Sequence, residues 1–148
     1  MASIIEEKLK SLGLALPAPH APVGNYLGAK RSGDLLFVSA RVSDLRGVVG
    51  ADVTADEARI AARDTTLQIL AIIKKEIGDL GLIASVESLR GFVRSASDFT
   101  EQPRVIDGAS ELLIALWGEA GRHARSATGV NALPFGAAVQ IDMVMRLG

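Results

Sequence analysis

Arg122-His-Ala-Arg125-Ser126-Ala-Thr-Gly-Val130-Asn-Ala-Leu133-Pro134-Phe-Gly136-Ala-Ala-Val-Gln140-Ile-Asp142-Met-Val-Met145 reads as two short strands joined by a Pro/Gly turn. Strand side chains alternate between faces, so Val139, Ile141, Met143 and Met145 point one way, toward helices, while Ala138, Gln140, Asp142 and Val144 point the other. A sheet with one apolar and one semi-polar face is covered by helices on a single side. Arg125 and Ser126 stand at the start of the first strand. A guanidinium fork pairs bidentately with a planar carboxylate, and a hydroxyl and backbone amides add donors, so this spot could hold a small acid. The same spacing also fits Arg125 as an ordinary strand residue paired across the sheet.

Upstream, the chain supplies the helices. Thr54 and Glu57 form a capping-box pattern, and Ala58, Ala62, Thr65, Ile69, Ile72, Ile73 and Ile77 trace one helical face before Gly78 stops it. Residues 85 to 94 read as a strand. Asp98 and Glu101 follow as a cap, with Pro103 in the first turn of a second helix whose buried stripe is Ile106, Ala109, Leu112, Leu113, Leu116 and Trp117, ended by Gly118. Residues 26 to 30 and 35 to 40 read as a hairpin turning at Gly33, with a further short strand near Val48 and Val49.

The first residues carry Ile4, Ile5, Leu9 and Leu12, but Glu6, Glu7, Lys8 and Lys10 interrupt them, so neither a signal-peptide core nor a membrane span forms. The spacing fits a short amphipathic helix ended by Gly13. An extended connector from Leu14 to Pro22, with prolines at 17, 19 and 22, then leads to the first strand. The expectation is one domain over 1–148, with the helix and Pro-rich connector at 1–22, in a soluble cytoplasmic protein. Two helices with one apolar face each cover one side of a mixed sheet of five or six strands, an α+β arrangement. The opposite side then calls for subunit packing.

Of the 148 residues 49% are hydrophobic and only 4% aromatic, so the core is aliphatic and rich in alanine. A net charge of -1 gives no electrostatic footprint for nucleic acid. Without cysteine there are no disulfides, thiol nucleophiles or cysteine metal ligands. His20 and His123 lie in unrelated segments without ligand spacing, so no metal and no cofactor is expected. His123, between Arg122 and Arg125, reads as a solvated loop residue.

Arg125-Ser126, then Leu133-Pro134 and a strand with Gln140 and Asp142 at alternate positions, resembles the C-terminal signature of the YjgF/RidA (Rid) family, whose members often carry the label endoribonuclease L-PSP. Pro22-Val-Gly24-Asn-Tyr26 with Gly33-Asp-Leu-Leu-Phe-Val-Ser39 resembles its Tyr-bearing first strand and Ser-ending second strand. Gly91-Phe-Val93, Asp98-Phe99 and the following helix resemble its middle segment. The resemblance implies a chorismate-mutase-like α+β fold (bacillus type), a homotrimer around a barrel of sheets, and ligand clefts between subunits.

Position by position, the family's carboxylate-binding arginine falls on Arg125 within the Arg125-Ser126 dipeptide, the first-strand tyrosine on Tyr26, the serine on Ser39 and the helix asparagine on Asp107. An anion at Asp107 repels a carboxylate unless its charge is matched. Ala127 stands where many members have cysteine. The acid that positions or activates water in deaminating members falls on Gln140, which orients water but takes no proton. Asp142 lies two residues on, about 7 Å along the strand. Gln140 and Asp142 read equally as polar subunit-interface residues. The leading function implied is hydrolysis of enamine or imine acids to 2-oxo acids and ammonia, with Arg125 on the carboxylate and water oriented by Gln140. The alternative is a trimer that binds small carboxylic acids without turnover. Ribonuclease activity finds no histidine pair, metal cluster or basic stripe to carry it.

Overall fold

Helix α2 (Ala55–Ile77) begins because Thr54 and Glu57 satisfy each other's backbone donors: Glu57 N–H donates to Thr54 Oγ1 and Thr54 N–H to Glu57 Oε1, both at 3.1 Å. It ends at Gly78, whose φ of +88° suits a residue without a Cβ. The expected stripe is the buried one: Ala58, Ala62, Thr65, Ile69 and Ile73 are fully enclosed and Ile72 nearly so. The computed structural model describes residues 3–148, so the first two positions of the expected 1–22 segment lie outside it. Helix α1 (Ile4–Ser11) is capped by Ser3 and buries Ile5 and Leu9, and the connector after it has no regular structure up to β1 (Ala29–Ser32).

The sheet has five strands in the order β1-β2-β5-β3-β4, adding β2 (Leu35–Val42), β3 (Ile83–Arg94), β4 (Ala124–Val130) and β5 (Val139–Leu147). The β3–β4 pair is parallel and all the others are antiparallel. Thus the two strands of the C-terminal run are not neighbours: β3 lies between them, and β4 forms an open edge. Helix α3 (Gln102–Trp117) makes the crossover from β3 to β4 and packs beside α2. A Cβ on Gly108 would lie 2.0 Å from the Arg59 carbonyl oxygen, so only glycine permits this approach of the two helices.

Val139, Ile141, Met143 and Met145 of β5 are buried under the helices, in step with Leu89 of β3. The alternate positions, Gln140, Asp142 and Val144, form a second face with Phe37, Arg90 and Phe92 that no helix covers among the described residues. Ala138 departs from the expected alternation. It is fully buried, its N–H donating to the Leu45 carbonyl and the Ser43 hydroxyl.

Three boundaries differ from expectation. Tyr26 precedes β1, because the backbone bends there and its N–H donates to the Gly24 carbonyl rather than to a strand. Val48 and Val49 form no strand. The φ of +131° at Gly47 and +93° at Gly50 fold this segment into a tight turn, leaving Val49 with single bridges to Val53 and Ser95. Asp98 does not cap α3. Glu101 is the N-cap without a side-chain bond, and Gln102 reaches back to donate to the Phe99 carbonyl at 2.8 Å.

Candidate functional site

Arg125 stands opposite buried Leu89 in the β3–β4 register, so its side chain is directed to the helix side of the sheet edge. Its Nη1 donates to Asp107 Oδ1 at 2.7 Å and to Ser110 Oγ at 3.2 Å, both on α3. Behind Ser110 stands His123, with Nδ1 2.7 Å from the Gly121 carbonyl and Nε2 2.9 Å from Ser110 Oγ. A carbonyl only accepts, so in the neutral ring Nδ1 carries the proton and Nε2 accepts the Ser110 hydroxyl. His123 is therefore not the solvated loop residue its charged neighbours suggest but the anchor of a chain running Gly121–His123–Ser110–Arg125–Asp107.

The Asp107 carboxylate, whose charge stood against ligand binding in the sequence, is matched by this guanidinium. The engaged donor is Nη1. Nε and Nη2, which form the side-on fork of a guanidinium, make no hydrogen bond among the described residues. Arg125 is thus oriented by Asp107 and Ser110 with one bidentate edge still available, and its side chain is 24% exposed.

The other expected residues lie elsewhere. Ser126 is in register with Arg90, on the opposite face from Arg125, as adjacent strand residues must be. Tyr26 and Gln140 line a cleft of about 790 Å³, together with Arg41, Arg46, Pro134 and Phe135. Ser39 lines a neighbouring depression of about 620 Å³ on the bare face, shared with Lys30, Arg90, Asp142 and Gln140. Its hydroxyl donates to the Leu27 carbonyl at 2.6 Å and so pins the loop that carries Tyr26. Asp142 is held by Arg90 Nε at 2.9 Å. One chain therefore brings Arg125 to Asp107, and Tyr26 to Gln140, but keeps these two pairs on opposite sides of the sheet.

Sequence reasoning missed Arg41, Arg46, Ser110, His123 and Phe135. Ser110 and Phe135 carried no signal, since the former looks like one more small helix residue and the latter owes its place to a left-handed φ of +60°. Arg41 follows a register slip in β2 that no periodicity marks.

The family model described as "YjgF/chorismate mutase-like, putative endoribonuclease" matches residues 6–146. The chain belongs to this family. The Trypanosoma cruzi protein TCP17 is 41% identical over 97% of this chain and 94% of its own length. A crystal structure of an Agrobacterium tumefaciens protein of unknown function is 41% identical, covers 98% of this chain and 93% of that one, and superposes with a TM-score of 0.91. A Shewanella oneidensis MR-1 protein described in the same endoribonuclease terms is 32% identical, covers 97% of this chain and 99% of that one, and superposes with a TM-score of 0.92. The chorismate-mutase-like α+β fold of the YjgF family is accordingly the fold of this chain. Among the described residues no helix is long and apolar enough to cross a membrane.

Proposed function

We propose that this YjgF-family protein binds small 2-oxo and imino acids in clefts between the subunits of a homotrimer, and hydrolyses imino acids slowly by orienting water rather than by general-base catalysis. The reading is carried by one observation. Arg125 is held by Asp107 and Ser110 with its Nε/Nη2 edge unoccupied, on the open edge strand of a sheet whose other candidate residues, Tyr26 and Gln140, sit on the bare face. A site divided in this way is complete only when the β4 edge of one subunit meets the bare face of the next. There Arg125 would take the ligand carboxylate, Tyr26 would supply a hydroxyl, and Gln140 would hold the attacking water through its amide. Ser39 and Ser126 would contribute polar contacts at the margin, and no cofactor is needed. An imine is intrinsically reactive toward water, so positioning alone supplies much of the rate.

Two measurements test this. Ammonia release from freshly generated 2-iminobutanoate should exceed the spontaneous rate, and Arg125→Ala should remove the excess. Calorimetry with 2-oxobutanoate should show Arg125→Ala weakening binding by about 2 to 4 kcal/mol, a factor of about 30 to 1000, with Arg125→Lys recovering little because an ammonium lacks the fork. Undiminished affinity in Arg125→Ala would make the arginine a strand-edge ion pair and nothing more.

A further inference from the structure

The cleft that holds Tyr26 and Gln140 contains two cations that the carboxylate site does not use. Arg41 and Arg46 both line it, and neither is ion-paired with any acid among the described residues. Arg41 is re-aimed by the register slip between Val38 and Arg41: the strand bulges, and the side chain that pairs in register with buried Ile141 turns into the cleft beside Val42 and Gln140. Its Nε is enclosed without a hydrogen-bond partner among the described residues, so the chain itself does not meet the charge of this guanidinium. The opposite rim is the turn Pro134–Gly136, where Phe135 holds a left-handed φ of +60° and is 66% exposed, and Arg94 Nη1 donates to the Gly136 carbonyl at 3.3 Å. The one acid on the lining, Asp44, accepts from Gln68 Nε2 at 3.3 Å and pairs with neither arginine. At about 790 Å³ the cleft lies within the range of about 300 to 1,000 Å³ usual for small-molecule sites.

We propose that Arg41 and Arg46 form a second anion-binding locus, and that the preferred ligand is a small acid with a second anionic group, a carboxylate or a phosphate, at the end of its side chain. This rests on the carboxylate-site reading above, with Arg125 taking the first anion and the arginine pair the second. Two guanidiniums lining one cleft with a single acid set a positive local potential that a monoanion leaves half-matched.

The test is calorimetry on the full-length protein with two matched pairs: 2-oxoglutarate against 2-oxobutanoate, and phosphohydroxypyruvate against hydroxypyruvate. In each variant the oligomeric state is followed by light scattering. Wild type should bind the acid with the second anionic group in at least one pair about 10- to 100-fold more tightly than the monoanion, and the pair with the larger ratio names the terminal group. Arg41→Gln and Arg46→Gln should each bring that ratio toward one, whereas Arg125→Ala should weaken both members together. A ratio of one in wild type, with the monoanions still binding, overturns the second locus alone. No binding of any of the four acids overturns the carboxylate reading and the second locus together. Loss of the oligomer in Arg41→Gln or Arg46→Gln would assign these arginines to subunit contact, and a preference for the acid with the second anionic group that survives the Arg41→Gln/Arg46→Gln double variant would overturn the second locus.

Discussion

The side-chain amide of Gln140 accepts through Oε1 and donates through Nε2, but it takes up no proton at neutral pH. A water held there attacks without help in losing its proton, so turnover by the proposed route is slow. Gln140→Glu keeps the shape and adds a base. Its rate of ammonia release from 2-iminobutanoate should rise by about 100-fold, and the gain should grow as pH climbs through the new carboxylate's pKa, because only the ionised form accepts. Asp142→Asn is the paired control. Asp142 is already engaged by Arg90 Nε at 2.9 Å, so its loss should leave turnover nearly unchanged. A flat response in Gln140→Glu with abolition in Asp142→Asn would move the base two residues along β5.

At the scale of elements, α2 carries the most readable determinants. Thr54→Ala should lower the stability of the protein by about 1 kcal/mol in urea unfolding, since it removes the acceptor for the Glu57 N–H. The Glu57 carboxyl is held below its ordinary value, first by the Thr54 backbone N–H and then by the Thr54 hydroxyl. A depressed carboxylate stabilises above its unfolded pKa, and that contribution is lost as pH falls through the folded one. The stability difference between wild type and Glu57→Gln should therefore narrow below about pH 4.5, the ordinary value of the group, and a difference that widened in acid would contradict the capping geometry. Gly108→Ala should cost about 2 to 3 kcal/mol or more, because its Cβ meets the Arg59 backbone carbonyl and not a side chain that could move aside. The faces of α2, α3 and β5 were legible because each meets the core along its whole length, so period and burial coincide. What escaped depends on backbone conformation that composition does not encode. The turn at Gly47 and Gly50 turned an apparent Val48–Val49 strand into a loop, the slip in β2 aimed Arg41 at the cleft, and β3 came to separate two strands that are consecutive in the chain.

For the whole molecule, a sheet covered on one face only leaves Phe37 46% exposed and Phe92 and Val144 half-buried. Under the proposed trimer, burial of such a face between copies would account for both the bare sheet and the divided site. Light scattering at micromolar concentration should give three times the 15.5 kDa of one chain. A stable monomer would leave Arg125 without the second half of its cleft. The split between Arg125 and the Tyr26–Gln140 pair also explains why the sequence named the residues of the candidate site more readily than their arrangement. Motifs mark residue types, while the distance between them is set by the fold: β3 and the sheet itself separate Arg125 from Gln140.

The order of the sheet has a further consequence for how the protein is made. β5, the last of the eight helices and strands in chain order, lies between β2 and β3 and is hydrogen-bonded to both. A chain cut short of Val139 would hold both flanking strands and both long helices but lack the strand that joins them. Closure of the sheet requires the pairings of residues 35–42 with residues 140–146, among the most distant in the chain, and pairing across such a separation is slow. A nonsense mutation anywhere upstream of Val139 removes the middle of the sheet, and its product is a substrate for proteolysis rather than a shortened protein that still works.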